Sequence, residues 1–350
     1  MSERICVIIL NWNGWKDTCE CLSSLVNAKD VPDTIVVVDN GSEDNSIAKI
    51  THWAKDRFGS FLHTNCHQVS SLRGGEVPPP FVILDNLMNL GYAGGNDPAI
   101  SWALSQQYYE YIWILNNDTV VQTDCLSKLK ACGKSTDASI LGTTMVYAKQ
   151  PHILQCAGGC RYNFLTTVTT PLRGKLCLED ARLGPADKRL DYIYGASMFV
   201  RAELFEEIGL FNDDYFLFYE EIDFCLRAKR KGHSLGWCRD AIVAHKVSQS
   251  IGRIGEADDR AITFANYHEN LSTLIFSWHF YKKFFILIFC LRFFGKMMIL
   301  AHRKEWHLIT PLLSAYRDFF PRFFPLIGFI KNRFSRHGEH SFENEKIQRK

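Results

Sequence analysis

The sequence predicts an α/β fold built on a mostly parallel sheet flanked by helices, followed by an α-helical C-terminal region. Two observations carry this prediction. Short, continuous apolar runs alternate with helical patterns over the first 120 residues, as they do in parallel sheets that are buried on both faces. After about residue 250 the chain changes to long aromatic and aliphatic runs broken by Lys and Arg. We therefore expect one domain over residues 1–255 and a helical, basic and aromatic region over residues 256–350.

Four apolar runs are predicted to form the parallel strands, and helical patterns follow the first three of them. The runs are Ile5 to Leu10, Thr34 to Val38, Phe81 to Leu84 and Tyr111 to Leu115. The third helix is predicted over 98–109, with Pro98 near its first turn. Residues 60–80 have little periodicity and end in three prolines, which predicts a surface insertion. Strand-like runs return in "SILGTTMVY" and "YIYGASMFV".

Composition indicates a globular protein with two differently charged parts. Hydrophobic residues make up 47% and charged residues 22% of the chain, which is not typical of disorder. The twelve cysteines show no framework spacing and the chain does not open like a signal peptide, which favours reduced thiols in the cytoplasm. The net charge of +2 divides into −7 over residues 1–281 and +9 over residues 282–350. The two parts are therefore expected to meet different partners.

Polar side chains cluster directly after the apolar runs. The carboxyl ends of parallel strands meet at one edge of a sheet, and ligands of such sheets bind beyond that edge. These residues therefore predict a binding rim. The rim consists of Asn11 and Asn13 after the first strand, Asp39 after the second, Asn89 to Asn96 after the third, and Asn116 to Asp118 after the fourth.

Asp39 and Asp118 are the carboxylates of this rim. Asp39 either closes an Asn-Gly turn or accepts hydrogen bonds from a nucleotide base or ribose. Asp118 offers the hard oxygen that Mg²⁺ or Mn²⁺ takes, while phosphate and water complete the coordination shell. A nucleotide-diphosphate leaving group needs such a cation, so Asp118 is a candidate metal ligand.

An acidic cluster lies among aromatic residues in "FYEEIDFCLR", residues 218–227. On a helix, Glu220 and Asp223 share a face and Arg227 lies one turn further along, so Asp223 belongs either to an ion pair or to a site. A carboxylate among aromatic side chains has a raised pKa and can act as a general base. His245 follows the next strand-like run and is either structural or a further metal ligand.

Six ordered motifs resemble the family 2 glycosyltransferases of the GT-A fold, and most resemble the rhamnosyltransferase-like branch that acts on bacterial surface polysaccharides. They are "VIILNWNG", "IVVVDNGSEDNS", "NLGYAGGN", "WILNNDTVV", the run from "YGASMFV" to "HSLGW", and "AHKVSQSIG". The resemblance covers roughly residues 4–255. It implies inverting, Mg²⁺- or Mn²⁺-dependent transfer of a hexose or deoxyhexose such as rhamnose. The implied donor is a UDP- or dTDP-linked sugar and the implied acceptor a glycan or a polyprenyl-diphosphate-linked glycan.

The resemblance also implies a role for each site residue. Glu221 stands where the family usually has its catalytic Asp, which makes it the implied general base. The implied metal ligands are Asp118 and His245. The residues implied to contact the nucleotide and the donor sugar are Asn11, Asn13, Asp39, Asn89, Gly91, Asn96 and Asn117. Those implied to line the acceptor side are Gly195, Ala196, Glu220 and Asp223.

Three positions depart from the family pattern. The chain has "GNDPA" over residues 95–99 where relatives commonly read GNNxG. Glu221 replaces the commoner Asp. Glu269, in "NYHEN", stands where relatives often carry Arg. None of these changes removes a carboxylate that the implied mechanism needs.

The C-terminal region is rich in aromatic residues and cations. Its uncharged runs are about a dozen residues or fewer, whereas a membrane span needs about 18 to 20. This pattern favours helices lying in the anionic interface at the inner face of the cytoplasmic membrane. A helical cap on the catalytic domain and an oligomer interface are the alternatives. We expect no nucleic-acid partner.

Two other function classes are less well supported. A non-catalytic glycosyltransferase-like protein that binds a nucleotide sugar at the membrane would not need Asp39, Asp118 and Glu221 together. A nucleotidyltransferase on a similar sheet would need a glycine-rich loop with Arg or Lys after the first strand to hold a triphosphate. This chain has "NWNGWKD" there, residues 11–17.

Overall fold

The computed structural model describes residues 3–69, 72, 77–183, 189–246 and 259–323. The strands in these ranges are β1 (Ile5–Asn11), β2 (Thr34–Asp39), β3 (Leu62–Asn65), β4 (Phe81–Asp85), β5 (Tyr111–Asn116), β6 (Thr119–Val121), β7 (Ala138–Tyr147), β8 (Gln150–Ala157), β9 (Gly159–Asn163), β10 (Val168–Pro171), β11 (Tyr192–Ile193), β12 (Ser197–Arg201) and β13 (Ser234–His245). The helices are α1 (Trp15–Val26), α2 (Ser46–Phe58), α3 (Cys66–Val69), α4 (Gly91–Ser105), α5 (Cys125–Ser135), α6 (Leu178–Arg182), α7 (Ala202–Ile208), α8 (Glu220–Arg230), α9 (Asp259–Phe280), α10 (Phe285–Arg303) and α11 (Ile309–Phe323).

One half of the main sheet is parallel, as predicted. Its strands run in the order β3-β4-β2-β1-β5, and every neighbouring pair among them is parallel. The register sets Asn11 beside Asp39, and Leu10 beside Asn116. The carboxyl ends of β1, β2 and β5 therefore lie side by side, and the predicted rim is one continuous edge.

The other half of the sheet is mixed. β12 runs antiparallel between β5 and β7, and β13 runs parallel to β7. β6 pairs antiparallel with β13, which sets His245 opposite Thr119, the residue after Asp118. The run "YIYGASMFV" is not one strand: β11 belongs to a separate three-stranded sheet with β9 and β10, and β12 to the main sheet. Residues 194–196 join the two sheets.

Two expectations about the helices and loops need correction. α4 begins at Gly91 and carries Pro98 in its interior, whereas the sequence pattern had placed Pro98 at the helix start. The helix starts earlier because Asn89 Oδ1 accepts the Gly91 N–H at 2.9 Å, which satisfies a backbone donor of the first turn. The predicted insertion over residues 60–80 also contains β3 and α3, and β3 extends the parallel sheet beyond β4.

The C-terminal helices pack into the same core as the sheet-covering helices. Phe276 of α9 and Phe319 of α11 are fully buried, in one apolar cluster with Phe205 of α7 and Phe224 of α8. The inner face of this region is therefore a cap on the catalytic domain, which is one of the alternatives stated above. The predicted boundary at residue 255 lies outside the described residues and stays a prediction.

One C-terminal segment is apolar enough to cross a membrane by length and composition. The segment Lys282–Arg303 has a mean hydropathy of 2.1 over its best 18-residue window. The uncharged runs within it are still short, because Arg292 and Lys296 interrupt the segment, and the average over the window tolerates these two cations. Core helices of soluble proteins pass the same test. The interfacial position of the helix stays a prediction.

Candidate active site

Asp39 and Asn11 form a closed hydrogen-bonded pair at the rim. Asn11 Nδ2 donates to Asp39 Oδ1 at 2.7 Å, and Thr18 Oγ1 donates to Asn11 Oδ1 at 2.7 Å. The Ser42 N–H donates to Asp39 Oδ2 at 2.9 Å and its hydroxyl donates to Oδ1 at 2.8 Å. Asp39 and Asn11 are almost fully buried. Their polar groups order the loops after β1 and β2, so the turn interpretation of Asp39 accounts for these contacts, and its contact with a nucleotide stays a prediction.

The other amides predicted to contact the donor also hold the rim loops together. Asn13 Oδ1 accepts the Glu43 N–H at 2.8 Å, which ties the loop after β1 to the loop after β2. Asn89 Oδ1 accepts from Asn40 Nδ2 at 2.9 Å as well as from the Gly91 N–H. Asn117 Nδ2 donates to Thr18 Oγ1 at 3.1 Å.

Gly91 and Asn96 lie in the first turns of α4, the part of the helix that faces the site. Gly91 has φ +75°, and a Cβ there would lie 2.1 Å from the Phe216 carbonyl oxygen, so only glycine fits. Asn96 is fully buried, and its Nδ2 donates to the Tyr92 carbonyl at 2.9 Å. Among the described residues Asn96 Oδ1 has no hydrogen-bond partner. A buried amide oxygen without a partner is rare in proteins, and this one is available to accept a hydrogen bond from a bound ligand.

Asp118 and His245 meet at the end of the sheet. Asp118 Oδ1 lies 3.2 Å from His245 Nε2, and both side chains are buried. Within the described ranges Asp118 Oδ2 is buried and has no hydrogen-bond partner. No group of three His, Cys, Asp or Glu side chains in those ranges could hold a metal ion. Two protein ligands and a free carboxylate oxygen suit Mg²⁺ or Mn²⁺, which takes most of its shell from substrate phosphate and water.

Glu220 and Glu221 open α8 from a strained turn. Phe218 and Tyr219 both have left-handed backbones, with φ +67° and +75°, a conformation that costs a non-glycine residue about 1–3 kcal/mol. Tyr219 is fixed by core packing and by its hydroxyl, which donates to the Thr167 carbonyl at 3.4 Å. The turn therefore delivers both glutamates at the amino end of the helix.

The two glutamates are neighbours at the start of α8, with Glu220 buried and Glu221 partly exposed, and their pKa values are shifted to different extents. Burial raises the pKa of Glu221 to about 7, although hydrogen bonds from backbone N–H groups and from Glu220 partly oppose the shift. Burial, and then the charge of Glu221, raise the pKa of Glu220 well above its usual range. The pKa of Glu220 is therefore the more strongly raised of the two, while Glu221 can lose and regain a proton near neutral pH. A base with such a pKa is suited to proton transfer.

The loop between β11 and β12 joins the carboxylates into one site. A Cβ on Gly195 would lie 3.7 Å from Glu221, and the Ala196 carbonyl accepts the Asn116 N–H at 3.0 Å. The Tyr92 hydroxyl donates to the Gly195 carbonyl at 2.8 Å. Burial, and then the charges of Glu220, Glu221 and Asp118, raise the pKa of Tyr92 well above its usual range. The predicted base, metal ligand and acceptor loop are therefore neighbours.

Asp223 has different contacts from the two glutamates. Its carboxylate pairs with Arg227 and accepts the Tyr215 hydroxyl at 3.1 Å. Arg227 also donates to the carbonyls of Ile208 at 2.6 Å and Leu210 at 2.7 Å. The ion pair left open by the sequence is thus formed, and an acceptor-side role for Asp223 stays a prediction.

Sequence reasoning did not single out several residues that complete the site. Ser42 and Thr18 satisfy the rim amides, and Tyr92, Tyr194 and Gln155 surround the carboxylates. Ser42 and Tyr92 lie inside quoted motifs and could have been considered. Gln155 lies in no motif, and only the pairing of distant strands brings it to His245.

Sequence comparison shows which protein families the chain is similar to. Residues 6–152 match the family described as "Glycosyl transferase family 2", and residues 111–260 match the family described as "Glycosyl transferase family group 2". The low-salt glycan biosynthesis hexosyltransferase Agl10 of Haloferax volcanii is 28% identical over 254 residues, which cover 71% of this chain and 70% of that protein.

Solved structures with the same fold carry nucleotides and metal. The structure of GalNAc-T7 with UDP, GalNAc and Mn²⁺ has a TM-score of 0.55 at 12% identity, covering 81% of this chain but 49% of that one. The mannosyltransferase PcManGT of Pyrobaculum calidifontis, in complex with GDP-Man and Mn²⁺, has a TM-score of 0.51 at 13% identity, covering 96% and 80% of the two chains. At these identities the likeness establishes the fold.

The two matched ranges together run from residue 6 to residue 260. They contain the rim, the Asp118–His245 pair and the two glutamates of α8. The chain is therefore a glycosyltransferase with a GT-A fold, and over these ranges its sequence is similar to glycosyltransferase family 2.

Proposed function

We propose that the enzyme transfers a hexose or deoxyhexose, with inversion and with the help of a divalent cation, from a nucleotide-diphosphate sugar to a glycan or lipid-linked acceptor. The observation that carries this proposal is the convergence of two features on the loop over residues 194–196. One is a glutamate, Glu221, whose pKa is about 7. The other is the Asp118–His245 pair, which has a buried carboxylate oxygen to spare.

Glu221 is the proposed general base. Its carboxylate would take the proton of the acceptor hydroxyl as that oxygen attacks the anomeric carbon and the nucleoside diphosphate leaves. A single displacement of this kind inverts the anomeric configuration. Glu220, whose pKa is raised well above its usual range, would support Glu221 by donating a hydrogen bond rather than by adding a second charge. Gly195 leaves open the space beside Glu221 in which the acceptor would lie.

Asp118 and His245 are the proposed protein ligands of Mg²⁺ or Mn²⁺. When bound, the cation would stabilise the charge of the departing diphosphate. Asp118 has one buried oxygen without a partner among the described residues. The loops after β1, β2 and β5 and the start of α4 would hold the nucleotide and the donor sugar, with Asn96 Oδ1 available to a sugar hydroxyl.

The class of donor follows from the relatives. The curated relative is a hexosyltransferase, and the two structures carry UDP with GalNAc and GDP-Man. The rhamnosyltransferase-like motifs add a UDP- or dTDP-linked deoxyhexose as a further candidate. We propose surface-glycan synthesis at the cytoplasmic side of the membrane as the setting.

A donor screen tests the proposed function. Purified enzyme would be assayed with Mn²⁺ or Mg²⁺ and UDP-, dTDP- and GDP-sugars, with and without lipid-linked glycan acceptors, for release of the nucleoside diphosphate. We expect one donor to be used. Asp118→Asn is expected to weaken Mn²⁺-dependent nucleotide binding by about tenfold or more, because the free oxygen becomes an amide.

Asp124→Asn is the matched control, since Asp124 pairs with Lys128 at the start of α5, and its variant should bind nucleotide normally. If calorimetry shows that Asp118→Asn binds nucleotide and Mn²⁺ as well as the wild type does, the metal assignment is wrong. Nucleotide binding without turnover of any donor would favour the non-catalytic alternative.

We further propose that the outer face of α10 lies on an anionic lipid surface. The inner side of the helix carries Arg292 and the half-buried Lys296, both hydrogen-bonded to Glu269. Beside them are the apolar residues Phe285, Ile288 and Leu300. Its exposed side is apolar, with Ile286 78% and Met298 72% exposed. The other exposed apolar residues of this helix are Leu287, Leu291, Phe294 and Ile299. Exposed cations flank it at Lys282, Lys283, Arg303 and Lys304, which complement acidic headgroups.

Vesicle binding tests this surface. The double variant Phe294→Glu with Met298→Glu is expected to bind vesicles of anionic phospholipid at least about tenfold more weakly, because each side chain contributes about 1.5–3 kcal/mol on burial. The matched control is Val31→Glu, an exposed valine in the loop before β2. Equal binding by wild type and double variant would contradict the proposal. A dimer in solution that the double variant abolishes would instead assign the face to a second copy.

A further inference from the structure

A glutamine and a tyrosine outside the predicted site stand behind the proposed metal ligand. Gln155 Oε1 lies 3.0 Å from His245 Nδ1, and Gln155 Nε2 donates to the Tyr194 hydroxyl at 3.1 Å. Both Gln155 and His245 are buried. Tyr194 belongs to the loop that also carries Gly195, so the contact links His245 to the acceptor side.

A β-bulge aims Gln155 at His245. β8 pairs antiparallel with β7, and Met145 faces Cys156 while the next residue, Val146, faces Leu154. Gln155 is the extra residue skipped by this register. Bulges redirect side chains and are frequent beside functional sites. One of the register shifts between β7 and β8 therefore falls at Gln155, the residue whose side chain contacts the histidine ring.

The polarity of these contacts determines which ring nitrogen carries the proton. The Gln155 amide donates to Tyr194 through Nε2, so its oxygen faces the ring. An amide oxygen can only accept a hydrogen bond, so this orientation of Gln155 pairs its Oε1 atom with a proton on Nδ1 of His245. The other ring nitrogen, Nε2, is 3.2 Å from Asp118 Oδ1.

With Nδ1 held by Gln155, Nε2 is the ring nitrogen that faces Asp118. The Asp118 carboxylate also has a second buried oxygen without a partner in the described ranges. A divalent cation bound here would find the Nε2 atom and the Asp118 carboxylate as neighbouring candidate ligands. We propose that Gln155, held by Tyr194, is the positioning residue that presents the Nε2 atom of His245 to the cation. The inference rests on the metal site of the proposed function.

Metal affinity tests the inference without an activity assay. Mn²⁺ binding would be measured by electron paramagnetic resonance in the presence of UDP. Gln155→Leu is expected to raise the dissociation constant of Mn²⁺ by about 10- to 100-fold, as losses of such supporting hydrogen bonds typically do. Gln155→Glu keeps an acceptor for the Nδ1 proton and is expected to stay within about threefold of wild type. Tyr194→Phe removes the hydroxyl that holds the Gln155 amide and lets the amide rotate. Its dissociation constant for Mn²⁺ should lie between those of the two Gln155 variants.

The control variant is Gln106→Leu, which removes a glutamine at the far end of α4 and should bind Mn²⁺ normally. Thermal unfolding would show that Gln155→Leu folds. In addition, ¹⁵N spectra of metal-free protein, with His245 assigned through His245→Gln, should show a proton on Nδ1 in wild type and its loss in Gln155→Leu.

The outcomes separate the two proposals. Mn²⁺ binding that is equal in wild type and Gln155→Leu overturns this inference alone. A ring protonated on Nε2 in the wild type also overturns it, because Nε2 would then donate to Asp118. A wild-type protein that binds no Mn²⁺ overturns the metal assignment of the proposed function and the inference together.

Discussion

Replacing Glu221 with Gln is expected to lower kcat by about 10²- to 10⁴-fold, the usual contribution of a general base, while the donor still binds. The amide has nearly the shape of the carboxylate but cannot take the proton of the acceptor hydroxyl. The measurement is a steady-state assay with the donor found by the screen, together with calorimetric binding of the nucleotide. A variant that keeps more than about a tenth of the wild-type kcat would exclude Glu221 as the base.

Glu220→Gln is the matched control for Glu221→Gln. Burial and the charge of Glu221 raise the pKa of Glu220 well above its usual range, which favours its protonated form, and the Gln amide replaces that form as a neutral hydrogen-bond donor. We expect kcat to fall by less than about tenfold. The opposite ranking, with Glu220→Gln the more damaged variant, would exchange the roles of the two glutamates.

The same base predicts how the rate depends on pH. Glu221 must be ionised to accept a proton, and its pKa in the free enzyme is about 7. The value of kcat/KM should therefore rise with pH and reach half its plateau near pH 7, falling tenfold for each pH unit on the acid side. An ordinary glutamate pKa near 4.5 would leave the rate flat above about pH 6.

Replacing Glu269 with Arg is expected to lower the free energy of unfolding by about 3–5 kcal/mol. Arg292, whose side chain is only 4% exposed, lies 2.9 Å from Glu269, and Lys296 lies 3.0 Å from it. Arg292 also donates to Asn270 and to Thr167. Removal of Glu269 leaves a buried guanidinium without its counter-ion, and an arginine adds a third cation to the cluster.

Urea unfolding of wild type, Glu269→Gln and Glu269→Arg would measure this effect. Glu269→Gln keeps hydrogen-bonding atoms and loses the charge, so it should lie between the other two. Water screens part of the interaction because the Glu269 side chain is 39% exposed. The loss of unfolding free energy in Glu269→Gln is therefore expected to be about 3 kcal/mol or less. Equal stability of Glu269→Arg and wild type would mean that the helical cap does not depend on this cluster.

The Glu269 cluster should also fail in acid. Burial raises the pKa of Glu269, but the charges of Arg292 and Lys296 outweigh it and lower the pKa to about 2, from an ordinary 4.5. A lowered folded-state pKa means that the stabilisation is complete above about pH 4.5 and is lost as the pH falls towards 2. The difference in unfolding free energy between wild type and Glu269→Gln should shrink over that interval.

The cluster gives a physical reason for the acid at position 269, one of the positions expected to depart from the pattern of the resembled family. The structure places two cations, Arg292 and Lys296, beside Glu269. Arg292 connects α10 to Thr167, and the Thr167 carbonyl accepts the hydroxyl of Tyr219, the residue before Glu220. Helix α10 is thus tied by buried hydrogen bonds to the turn that presents Glu220 and Glu221, the proposed base.

The parallel half of the fold and the position of the rim followed from the sequence alone. Runs such as Ile5 to Leu10 are short, uninterrupted and β-branched, and such strands are stable only when helices cover both faces of their sheet. Once the strands are parallel, their carboxyl ends must share an edge. The sequence pattern alone therefore places the residues after β1, β2 and β5 together.

Only the tertiary structure decided which polar groups are already satisfied and which are free for chemistry. Asp39 and Asp118 look alike in sequence, as carboxylates at strand ends, yet Asp39 is held by Asn11 and Ser42 while Asp118 retains an oxygen without a partner in the described chain. Hydrogen-bond satisfaction depends on partners that are distant in sequence: Gln155 reaches His245 across 90 residues. No local pattern encodes such a contact, because it arises from the pairing and register of strands that meet only in the folded protein.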